Sequence, residues 1–156
     1  LVTHVEITPA KLADVWAFEK MRPEDAAEVL ASDGLSPVES IIQSWASSRE
    51  TWTVRLNGEV AAMYGVALTP YGTALTPVAV AWLLTTTAVD RHPVTFFKES
   101  KRIVKELAER YGVLTNFVDA RYGKALNWAR RLGFDVQQVI TFGRNGEPFN
   151  PISYGG

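Results

Sequence analysis

The chain has 156 residues, no cysteine, Lys+Arg 16 against Asp+Glu 17, and a formal net charge of −1. That length suits one domain, here 1–156, that buries its core without disulfides or metals. The missing cysteine excludes thiol nucleophiles and cysteine-bound zinc, and the balanced charge offers no field for nucleic acid or an anionic membrane. No apolar run approaches the ~20 residues of a membrane span. Residues 1–10, which include His4 and Glu6, lack the basic-then-apolar form of a signal peptide.

In chain order, 2–7 alternates and predicts a strand. Thr8-Pro9 then opens a helix, with Leu12, Val15, Trp16 and Phe18 on its apolar side, that stops before Arg22-Pro23. A short helix over 24–31 carries acid in its first turn, as the helix dipole favours, and Asp33-Gly34 breaks it. Ser36-Pro37-Val38-Glu39 is a capping box, so a third helix runs over 37–47 with Val38, Ile41, Ile42 and Trp45 inward. Strands 51–56 and 60–68 flank Asn57-Gly58, a strong hairpin signal. A turn at 69–72 leads to 77–86, apolar enough for a central strand buried on both faces.

After a break at 85–92, a long helix over 93–111 repeats apolar residues at helical spacing from Phe96 to Tyr111 and ends at Gly112. A strand at 114–118, a helix at 121–132 capped by Gly133, and a strand at 136–142 follow. Asn145-Gly146 then turns the chain into 149–154.

Little chemistry stands out in this pattern. There is no G-x-S-x-G and no P-loop, and the two histidines, His4 and His92, lie far apart without metal-ligand spacing. Glu99, Glu106 and Glu109 interleave with Lys98, Lys101, Arg102, Lys105 and Arg110, which reads first as a solvated face with i,i+4 ion pairs and second as a basic flank for a phosphate. The five tryptophans fall where core is expected, without the basic stripe that base stacking requires.

The order hairpin, central strand, long helix, strand, helix, strand, with Leu114-Thr115-Asn116-Phe117-Val118-Asp119 and Leu132-Gly133-Phe134 near its end, resembles the GNAT (GCN5-related N-acetyltransferase) family. Met21-Arg22-Pro23-Glu24-Asp25-Ala26-Ala27-Glu28, His92-Pro93 and Gly146-Glu147-Pro148-Phe149 are similar to a subgroup of small bacteriophage-encoded GNAT-like proteins, among them internal virion proteins of short-tailed phages. The resemblance implies an α/β (α+β) fold, a mixed central sheet of about six to seven strands flanked by helices.

It also implies where a cofactor would sit. Active members of the family hold the acetyl-CoA pyrophosphate on backbone N–H groups of a (Q/R)-x-x-G-x-(G/A) loop at the start of the long helix, a helix-dipole anion site. The matching stretch, 85–94, has no glycine, carries Asp90, and has Pro93 in place of an N–H donor, with Arg91 as partial compensation. The family's acid, a Tyr four residues before the terminal Gly, is Ala129 here, and its Asn eleven residues before is Tyr122. Residues 60–68 and 78–84 contain no Glu, Asp or His to act as a base.

The scaffold expected is thus an acetyltransferase's, with residues set against ordinary acetyl-CoA chemistry. The reading favoured is a phage-encoded, catalytically degenerate protein of the virion or host cytoplasm, with no cofactor. Its expected partners are phage or host proteins, other virion components or further copies of itself. The alternative is an acetyl-CoA-dependent N-acetyltransferase with a divergent loop, in which Thr86, Thr87, Ala88, Val89, Arg91 and His92 hold the CoA.

Overall fold

The computed structural model describes residues 2–68 and 78–155, so the turn expected at 69–72 lies outside the described residues. Strand β1 (Val5–Pro9) pairs antiparallel with β2 (Glu50–Leu56), and β2 with β3 (Glu59–Leu68). The hairpin between β2 and β3 places Asn57 and Gly58 at φ of 50° and 81°, the double positive φ that a two-residue turn needs. Strand β4 (Val78–Thr85) pairs antiparallel with β3. Gly65 faces Trp82 in that pair, and a Cβ there would meet the indole at 2.9 Å and the Glu50 carbonyl at 2.6 Å, so only glycine fits.

Helix α3, residues Pro93–Tyr111, then crosses to β5 (Val113–Asp119), which runs parallel to β4 as a helical crossover allows. Strand β8 (Glu147–Tyr154) pairs antiparallel with β5 and, on its other side, with β6 (Asp135–Val136) and β7 (Ile140–Phe142). The sheet therefore has eight strands in the order β1-β2-β3-β4-β5-β8-β6, with β7 also on β8. The extra strand arises because the strand expected over 136–142 is split. Pro151 in β8 turns its backbone edge to this side and has no N–H to give, so a continuous ladder cannot form. Across the break, the Gln137 N–H donates to the Pro151 carbonyl at 2.9 Å, and Asn150 Nδ2 donates to the Gln137 carbonyl at 2.7 Å.

Two layers cover the sheet. On one face lie a 3-10 helix (Leu12–Lys20), α1 (Pro23–Asp33) and α2 (Pro37–Ser47), packing Val15, Phe18, Val29 and Ile41 onto Met63 and Leu84. On the other, α3 and α4 (Gly123–Leu132) pack Phe96, Leu107 and Trp128 onto Val54, Tyr64, Ala79 and Leu114. The capping box of α2 forms as expected, with Ser36 Oγ accepting from the Glu39 N–H at 3.3 Å and Glu39 accepting from the Ser36 N–H.

Two core expectations are corrected. The first helix is 3-10, so its three-residue turn brings Val15 and Phe18 inward and carries Trp16 out to 62% exposure. The same turn buries Asp14, which accepts hydrogen bonds from the Lys11 N–H, Thr53 Oγ1 and Arg55. Ile42, expected inward, is exposed, because α2 turns Ile41 and Ser40 to the sheet instead. The ion pairs on α3 also differ from the simple i,i+4 reading. Arg102 bridges Glu99 and Glu106, whereas Arg110 reaches off its helix to Glu50 on β2.

Candidate functional site

Strands β4 and β5 share a ladder over just three pairs, Val78↔Val113, Ala79↔Leu114 and Val80↔Thr115. Beyond them the strands part, since β4 stays with β3 to Thr85 while β5 stays with β8 to Asp119. The result is a fork that opens at the C-terminal ends of both strands, where open α/β sheets hold their ligands.

Side chains of this chain meet several of the backbone groups that the fork exposes. At its apex Asn116 stands between the strands, its Nδ2 donating to the Ala81 carbonyl at 2.6 Å and its Oδ1 accepting from the Phe117 N–H at 2.7 Å. At its open end, Asp25 of α1 accepts from the N–H and hydroxyl of Thr85 at 2.8 and 2.6 Å. One helical turn on, Glu28 accepts from the Asp119 N–H at 3.2 Å. The Arg22 N–H donates to the Thr85 carbonyl at 3.0 Å, and Met21 forms a single antiparallel bridge with Thr86. The segment 21–28 is thus fastened to the tip of β4 and, through Glu28, to the tip of β5.

Local sequence explains why α1 lies there. Pro23 starts the helix with its fixed φ, Glu24 and Asp25 sit in the first turn, and Gly34 ends it at φ 70°. Spacing i,i+3 sets Asp25 and Glu28 on one face, and that face meets the fork.

The resulting cluster is acidic and partly dry. Burial raises both carboxylates above their usual range. For Asp25 the bonds from Thr85 oppose the rise; for Glu28 the bond from the Asp119 N–H opposes it, but the nearby charges of Asp25 and Asp119 add to burial and it stands at about 7. Asp119 is fully buried yet stays low, because Arg121 binds both its carboxylate oxygens, at 2.9 and 2.6 Å, and a backbone N–H adds a third bond. Arg121 reaches Glu147 as well, at 3.3 Å.

The residues expected to hold a cofactor form a compact 3-10 turn (Thr87–Arg91) between β4 and α3. Thr86 caps it, its hydroxyl accepting from the Ala88 N–H at 3.2 Å and donating to the Val60 carbonyl at 2.8 Å. Ala88 and Val89 are buried in the core, and the Val89 and His92 N–H groups point back to carbonyls of the same turn. Arg91 is paired with Glu59, and His92 Nδ1 lies 3.0 Å from the Thr3 hydroxyl. Asp90 is held by Arg22 at 3.4 Å. Thr87 is exposed at the edge of a hollow of about 320 Å³ that Trp16 and Glu59 also line. The Ala88, Val89 and His92 N–H groups are thus used within the turn, and Pro93 gives no N–H at the start of α3.

The seam between α3 and α4 is also filled. Phe96 and Trp128 stack with centroids 6.0 Å apart and planes 8° apart, and the Arg131 guanidinium lies 4.5 Å above Phe97. Ala129, in the family's acid position, is buried against Val118 and Ile152, and Tyr122 stands at the start of α4 instead.

Sequence reasoning looked for a base on the central strands and so missed Asp25 and Glu28, which reach the strand tips from a helix. Their i,i+3 spacing was the available signal, and the polar Asn116 inside a strand was another.

Comparison with known proteins places this architecture. No family model matches the chain, and no curated protein matches it. Solved structures do. The chain superposes on an aminoglycoside N(6')acetyltransferase from Legionella pneumophila with a TM-score of 0.72 at 6% identity, covering 96% of this chain and 91% of that one. A GCN5-related N-acetyltransferase from Kribbella flavida gives 0.67 at 18% identity over 97% and 98%. The ribosomal-protein-S18-alanine N-acetyltransferase from Escherichia coli gives 0.64 at 12% identity over 97% and 93%. With its mixed eight-stranded sheet, parted β4 and β5, and flanking helices, this chain has the GNAT fold.

Proposed function

We propose that this chain is a non-catalytic GNAT-fold protein that acts as an interaction module. One observation carries the reading. The fork between β4 and β5 is closed by the chain's own side chains, with Asn116 at the apex and Asp25 and Glu28 at the tips. At 86–92 the N–H groups of Ala88, Val89 and His92 are used within the turn, and Asp90 adds negative charge. The resemblance of 21–28 and 146–149 to phage GNAT-like proteins supports a virion-associated or accessory role beside a phage or host protein. The test is a thermal melt with excess CoA. A ligand at 100 times its dissociation constant stabilises by ~2.7 kcal/mol, and the expected shift is zero. A clear shift overturns the reading.

A second reading, acetyl-CoA-dependent N-acetyltransfer, is favoured by a different observation. Glu28 sits at the fork's mouth, held at about 7, and a base near the working pH is suited to taking a proton from an ammonium acceptor. Transfer of labelled acetyl groups from acetyl-CoA to a panel of amines, lost in Glu28→Gln, would establish it. No transfer to any amine would dismiss it.

A further inference from the structure

We propose that Asp25 and Glu28 form a proton-controlled latch, which holds α1 across the mouth of the fork at acidic pH and loosens as pH rises toward neutrality. The proposal rests on the reading that the fork is closed by its own side chains. It stands first on geometry: two carboxylates one turn apart on a single helix each accept the end N–H of one of two diverging strands, Thr85 of β4 and Asp119 of β5. No backbone ladder joins those strand ends to each other. The gap at the mouth is therefore bridged by α1, and the hold of α1 on β5 runs through Glu28.

The groups around the latch set the direction of its response. On or beside α1 are Arg22, Glu24 and Asp25, and Arg22 also faces Asp90 of the 3-10 turn. On β5 is Asp119, bound by Arg121, which in turn meets Glu147 of β8. Arg121 is thus occupied by Asp119 and Glu147, Arg22 is shared among Glu24, Asp90 and the nearby Asp25, and Glu28 itself faces Asp25 and Asp119, two negative neighbours. Docked, Glu28 binds its proton up to about 7, and undocked it would titrate at the ordinary value of 4.5. The docked state therefore holds the proton more tightly. Its advantage is complete below 4.5, falls as pH rises to about 7, and is constant above that. With α1 away, the N–H groups of Thr85 and Asp119 become available to another chain's acceptors.

Amide hydrogen exchange, corrected for the intrinsic pH dependence, reads this directly at Thr85 and Asp119. Protection should fall by up to ~tenfold per pH unit between 4.5 and about 7, and then level off. Glu28→Gln keeps the acceptor oxygen and removes that group's titration, so the pH dependence at Asp119 should become markedly shallower, with only the Asp25 contribution left. Asp25→Asn removes a negative neighbour of Glu28, so the levelling point should move to lower pH, and this variant keeps the test valid if Glu28→Gln misfolds. Wild-type protection that is high but independent of pH overturns the latch and leaves the closed fork standing. Thr85 and Asp119 amides unprotected at every pH overturn both.

Discussion

The two ends of the β4–β5 pair are built from the same strands and held by different forces. At Val78–Val80 and Val113–Thr115 the strands share a backbone ladder, with Ala79 and Leu114 fully buried beside it. At Thr85 and Asp119 they share none, and carboxylates from α1 stand in. Apolar burial and amide pairing carry no protons, so the first end is indifferent to pH. The second end takes its strength from acids whose charge state varies. One pair of strands can thus be rigid where it supports the core and adjustable at its open end.

Four measurements sharpen or break this contrast, and each is read as equilibrium unfolding in urea. Leu114→Ala, at the laddered end, should cost about 2–5 kcal/mol, equally at pH values on either side of neutrality. A cost that varies with pH would mean the two ends are not separable.

Glu50 offers the opposite sign to Glu28. Arg110 first, then Tyr111 and Trp52, hold it down at about 2 by hydrogen bonds. Its contribution is present above 4.5 and is lost as pH falls toward about 2. Glu50→Gln should cost about 1.5–3 kcal/mol near neutrality, with little loss remaining at the acid end. An undiminished loss in acid would show that Glu50 acts by packing alone.

Asn116→Ala removes the apex bridge and leaves the Ala81 carbonyl and the Phe117 N–H without that partner. The expected cost is about 1–3 kcal/mol. A neutral result would mean that water replaces the amide, and that the fork is wet at its apex. Ser36→Ala, at the cap of α2 and remote from the fork, should cost ~1 kcal/mol and leave amide protection at Thr85 and Asp119 unchanged.

Much of the scaffold was legible from residue pattern. Asn57-Gly58 fixed the β2–β3 hairpin, Ser36 and Glu39 fixed the start of α2, and Gly112 and Gly133 fixed the ends of α3 and α4. These signals are local, so a short window contains the physics. Trp16 was misplaced because apolar spacing of three and four residues does not separate a 3-10 helix from an α-helix near its start. The split at 137–139 depended on Pro151 in β8, a partner that the strand's own sequence does not mention.

The site was harder to read. The turn at 87–91 was found in the right place, between β4 and α3, yet Arg91 does not serve as a free cation because Glu59, distant in sequence, claims it. Asp25 and Glu28 looked like ordinary acids at a helix start. Their meaning lies in contacts to Thr85 and Asp119, which are 60 and 91 residues away. Only the assembled sheet brings such pairs together.

Those separations have a consequence for how the molecule is made. A contact across 91 residues closes a long loop, and its entropy is recovered only after the intervening elements have condensed. Helix α1 precedes nearly all of the sheet in the chain, yet its seat on β4 and β5 does not exist until both strands are in place. Its bond to β5 through Glu28 therefore closes only after both strands are in place. A chain synthesised from its N-terminus can pack Val29 of this early helix against Met63 and Leu84 first, and completes the seat when β5 joins the sheet.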